Sequence, residues 1–201
     1  MKLTLLDRLL FLSTALLTSY QIAVGIEGLG SIPIFVYTLG FGALLVSGLL
    51  ILILGFEVLR SALVVVVATL IPLSLACGMV WEYLPAWRGV YVVYAVVGFL
   101  AIGLSRFARM SPQIATLIVA FVHGVAGLTI FLLPIGVVAA QRTAAGFLLV
   151  SLGGALIGLM GLLLSFLRMG SPVLGQEKLL RAFPLLFLMI TVAYVLGFNW
   201  R

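Results

Sequence analysis

The chain has 201 residues, 65% of them hydrophobic and only 8% charged, with a mean hydropathy of +1.40, whereas a soluble domain is about one quarter charged. So few charges cannot coat a core of this size in water, and the bilayer has to act as solvent. The net charge of +6 does not mark a nucleic-acid binder, because the basic residues stand singly or in pairs between apolar runs, and the single cysteine, Cys77, excludes an intrachain disulfide, a CxxC redox pair and a multi-cysteine metal site.

A spanning helix needs roughly 20 mostly apolar residues, and seven segments qualify: residues 9–26, 32–56, 62–80, 90–105, 114–139, 144–167 and 180–198. They are apolar all round and lack the alternation of a transmembrane barrel. The expected fold is therefore all-α, a polytopic transmembrane helical bundle of about seven helices in a single domain, 1–201.

The apolar stretch from Leu9 to Leu17 follows Lys2 and Arg8 and precedes Ala23 and Gly25, a composition shared with signal peptides; the first segment is read as an uncleaved helix. The second ends near Glu57 and Arg60, whose i, i+3 spacing suits a headgroup-level pair that fixes the turn into the third. Glu57 is also a candidate for proton or cation exchange at a cavity mouth. Glu27 and Glu82 read as solvated loop carboxylates. In the third segment Pro72 frees a backbone carbonyl one turn earlier, with Thr69, Ser74 and Cys77 nearby, and transporters use such breaks to hold ions. Pro134 and Pro184 fall near segment ends.

His123, the only histidine, lies about ten residues into the fifth segment, roughly 15 Å deep. It is a candidate axial ligand or proton relay, against the simpler role of a neutral imidazole hydrogen-bonded within the bundle. Ala120 with Gly124, and Gly154 with Gly158, are small-xxx-small pairs that suit close packing of helices 5 and 6 or contact with another copy. A bulky residue at Gly154 or Gly158 is expected to disturb helix 6.

A faint rhythm joins the first six segments into hairpins that turn near Pro33, Pro85 and Pro134 and end on Arg60, Arg109 and Arg168. Basic inner ends and turn-forming prolines are also what any polytopic chain carries. The stretch from Gly124 through Gly127 to Pro134, followed by Gly153-Gly154 and Leu167-Arg168, resembles the HdeD-type acid-resistance membrane proteins, which are three-hairpin chains. The resemblance covers helices 5 and 6, lacks the basic-Trp hairpin start and leaves helix 7 as an extra; it implies no catalytic residue.

With the N-terminus cytoplasmic, that side holds Lys2, Arg8, Arg60, Arg106, Arg109, Arg168, Lys178 and Arg181, against Arg88, Arg142 and Arg201 opposite, the excess that marks cytoplasmic loops. The C-terminus is then expected outside, with Trp81, Tyr83, Trp87, Tyr91 and Trp200 in an aromatic belt. The chain contains no HExxH, nucleophile elbow or phosphate loop. The first expectation is a non-catalytic membrane subunit or stress-related protein that packs against lipid, a lipophilic cofactor or partner helices, including other copies. The second is a small transporter or channel for an ion, proton or lipophilic solute, using Pro72 and His123. The third is a haem or pigment protein ligated by His123. No motif names the cofactor.

Overall fold

The computed structural model describes residues 2–108, 110–168 and 175–201, without the side chains of residues 60, 112, 162 and 165–168. It is a bundle of seven α-helices: α1 (Leu5–Val24), α2 (Ser31–Leu54), α3 (Ala62–Tyr83), α4 (Arg88–Phe107), α5 (Pro112–Ala139), α6 (Leu148–Arg168) and α7 (Gln176–Asn199). Among the described residues, α2, α3, α4, α5 and α7 are long and apolar enough to cross a membrane. The chain is thus a polytopic membrane protein.

Local chemistry explains where the helices depart from the hydropathy reading. Thr4 and Asp7 form a reciprocal capping box, Asp7 N to Thr4 Oγ1 at 3.2 Å and Thr4 N to Asp7 Oδ2 at 2.8 Å, so α1 starts four residues before the expected 9. Gly55, at φ +77°, ends α2 early, and residues 56–60 form a 3-10 turn rather than the end of an α-helix. Glu57 is exposed there; its expected partner, the Arg60 side chain, lies outside the described residues. α7 gains an N-terminal turn carrying an exposed Glu177–Arg181 pair at 2.6 Å, which places Pro184 inside the helix rather than at its start. The Arg109 and Arg168 hairpin ends and residues 169–174 fall largely outside the described part.

Neighbouring helices pack in the order α1, α2, α3, α5, α6, α7 and back to α1, a closed ring of six. α4 lies outside it against α3 and α5, with Val93, Val97, Leu100 and Leu104 exposed, a flank suited to lipid. The three sequence hairpins therefore do not occupy equivalent places: α2 and α6 are ring members and α4 is not.

The end of the ring that carries the C-terminus is filled. Tyr37 and Phe41 of α2 meet Phe198 of α7 at centroid distances of 4.7 and 5.9 Å, and Phe147 meets both Phe198 and Tyr83. Glycines admit these close approaches: a β-carbon on Gly146 would stand 2.4 Å from the Trp200 carbonyl oxygen, and one on Gly197 2.7 Å from the Val150 nitrogen. Polar groups lock the rim. Arg201 pairs with Glu82, donates to the Tyr83 hydroxyl at 3.3 Å and to the Glu27 carbonyl at 2.9 Å, while Asn199 donates to Gln21 at 2.7 Å. Burial disfavours the Arg201 charge, but Glu82 and the Tyr83 hydroxyl outweigh it and raise its pKa. Glu82 is therefore a structural partner instead of a solvated loop carboxylate, because α3 runs on to Tyr83 and the chain end folds back over it. Of the expected aromatic belt, Trp87 and Trp200 are exposed, whereas Tyr83 is buried and Tyr91 turns inward to Thr129 at 3.2 Å.

Candidate functional site: an apolar cavity inside the helix ring

The other half of the ring is hollow. A cavity of about 600 Å³ lies between α2, α3, α5, α6 and α7, within the usual range of about 300–1,000 Å³ for ligand sites. It runs along α6 from Gly154 to Leu164, a rise of roughly 15 Å, and reaches Leu59 at the turn after α2. α1 is kept from it by an aromatic wall in which Phe11 of α1 packs on Phe183 and Phe187 of α7, and these two face the cavity.

Small residues make the space. α5 and α6 meet at Gly154, where a β-carbon would stand 2.8 Å from Ile130. Toward the N-terminal end of the bundle nothing lies within 4 Å of the β-carbon position of Gly124, Gly127 or Gly158. The two halves of the Gly154/Gly158 motif thus do different things: Gly154 brings backbones together, and Gly158 leaves room. Ala120 and Gly124 are likewise cavity wall. Leu128 of α5 and Leu159 of α6 belong both to this wall and to the outer surface, being 59% and 53% exposed, so the cavity reaches the lipid-facing flank between these helices.

Two of the residues singled out in the sequence for ligand chemistry come together here. Pro72 and His123 both line the cavity, and so does Ala68, whose carbonyl has lost its helical donor because Pro72 has no N–H. Thr69 and Ser74 are buried elsewhere; the Thr69 hydroxyl donates to the Val65 carbonyl at 2.8 Å. Neither they nor Glu57 line the space. Cys77 is buried in α3 away from it. Ser47 of α2, which sequence reasoning passed over, does line it. Its only signal was a hydroxyl in the otherwise apolar second half of that helix.

Among the described lining side chains only Ser47 and His123 are polar. His123 Nδ1 lies 3.2 Å from the Val119 carbonyl oxygen. A carbonyl only accepts, so Nδ1 carries the proton and donates, and Nε2 of the neutral ring holds a lone pair. The described residues contain no group of three His, Cys, Asp or Glu side chains able to hold a metal ion. The chemistry available is shape, apolar contact and a small number of neutral hydrogen bonds.

No protein-family model matches the chain, and no match is found among curated proteins or solved structures. The likeness to HdeD-type proteins thus has only its own residues in α5 and α6 for support.

Proposed function

We propose that this protein is a non-catalytic multi-pass membrane protein that holds an apolar molecule, a lipid or lipophilic cofactor, inside its helix ring. The observation that carries this reading is the cavity: a ligand-sized space with only two polar side chains among the described residues of its wall, reaching the lipid-facing flank beside α5 and α6. Apolar surface that faces neither lipid nor protein forfeits dispersion contacts, and a lipophilic guest restores them. The HdeD-like pattern in α5 and α6 adds a stress-related setting to the same reading.

The test is purification in mild detergent, followed by absorbance and mass spectrometry of what accompanies the chain. The expected result is a colourless apolar molecule at close to one per chain; a chain that carries none contradicts the reading. A second reading, ligation of a haem or pigment iron, is favoured by one observation, the position of His123 in the cavity wall. It requires a coloured protein whose spectrum changes in His123→Gln; in the first reading this variant folds and shows no spectral change, because an amide keeps hydrogen-bonding capacity at that place.

We also propose that all seven helices cross the bilayer with the N-terminus cytoplasmic. α1 and α6 complete the ring beside spanning helices, and at 20 and 21 residues are each about 30 Å long. Reporter fusions at Met1, Gly175 and Arg201 are expected to read inside, inside and outside; an external Gly175 overturns the topology.

A further inference from the structure

The cavity's two described polar side chains differ in how they are satisfied. Thr14, Thr18, Thr69, Thr129 and Thr191 each return their hydroxyl to a carbonyl one turn back, at 2.8 to 3.0 Å. Ser47 does not: it is 5% exposed and its Oγ has no hydrogen-bond partner among the described residues, a state it shares with Ser151 and Tyr194, but of the three only Ser47 lines the cavity. Buried polar atoms are nearly always paired, and an orphan in a cavity wall points to a partner supplied from within the cavity. His123 is complementary to it. With Nδ1–H committed to Val119, its Nε2 can only accept, while Ser47 can donate and accept.

This pair discriminates among apolar guests. A plain hydrocarbon leaves both groups unpaired. A carboxylate or phosphate would face the Nε2 lone pair, and a cation would be buried against lining side chains none of which, among the described residues, is charged. A neutral hydroxyl fits: its hydrogen goes to Nε2, and a hydroxyl oxygen accepts from Ser47. Resting on the reading of this cavity as a lipophile site, we propose that the guest is an uncharged long-chain lipophile bearing hydroxyl oxygen, read by His123 and Ser47.

The experiment compares radiolabelled hexadecanol and hexadecane, each equilibrated with the full chain in phosphatidylcholine nanodiscs against empty nanodiscs. Both probes are expected to bind above the empty-disc background, hexadecanol roughly tenfold more tightly, the scale of a membrane hydrogen bond. His123→Leu should bring hexadecanol down to the hexadecane level, His123→Gln should keep the preference through its amide oxygen, and Ser47→Ala should reduce it. Should His123→Leu fail to fold, the wild-type ratio and Ser47→Ala still decide. Equal binding of the two probes to the wild type, or a preference untouched by both His123→Leu and Ser47→Ala, overturns the hydroxyl inference alone. Absence of binding by either probe overturns the cavity reading with it.

Discussion

The two ends of the helix ring use the same residue, glycine, for opposite purposes. At the C-terminal end Gly146 and Gly197 let α7 and the chain terminus press onto the start of α6, and the Arg201–Glu82 pair closes the rim. At the N-terminal end Gly124, Gly127 and Gly158 face open space. One set brings backbones into contact, and the other keeps a volume free. A glycine in a membrane helix thus carries no fixed meaning; the bulk of the residue opposite decides it.

Substitutions that probe this contrast should differ in sign as well as size. Gly197→Val drives a branched side chain into the α6 backbone and is expected to cost about 2–3 kcal/mol or more, read as a lowered thermal unfolding midpoint in detergent. Arg201→Ala leaves the Glu82 carboxylate, 21% exposed, without its cation; partial solvent access holds the cost to about 1–2 kcal/mol, and Glu82→Gln in the same background should recover part of it. At the hollow end Gly158→Ala meets nothing and should be stabilising by about 0.5 kcal/mol through the lower backbone entropy of alanine in the unfolded chain. A clear destabilisation at Gly158 would remove the distinction between the two ends. The smallest effect is expected for Glu177→Gln. Its partner Arg181 is 71% exposed, and loss of that i, i+4 pair should change stability by less than about 0.5 kcal/mol.

The helices were legible in the sequence because a bilayer leaves the backbone few alternatives, and long apolar runs announce themselves. Their ends were less so. The Thr4/Asp7 box and the Glu177–Arg181 turn lie in polar sequence that a hydropathy reading trims away. His123 and Pro72 stood out as interruptions in apolar runs, yet nothing in their spacing said that α3 and α5 would turn them toward one space; that depends on the ring closing through α7 and α1. Ser47 went unnoticed because a helical serine ordinarily bonds its own backbone, and its missing partner exists only in three dimensions. The small-xxx-small pairs looked alike because contact and void have the same local pattern. Ile130 opposite Gly154 makes the one, and the lack of any neighbour opposite Gly158 makes the other.

The central claim is that the hollow half of the ring is a binding site for an apolar molecule, and filling it tests that claim most directly. Gly158→Phe places a ring into the open volume of the cavity. The wild type and this variant, purified side by side in mild detergent, are compared by thermal unfolding and by mass spectrometry of extracted small molecules. The account predicts that the variant unfolds within a few degrees of the wild type while the apolar molecule, close to one per wild-type chain, is lost. Equal retention by both proteins, or none in the wild type, would contradict it.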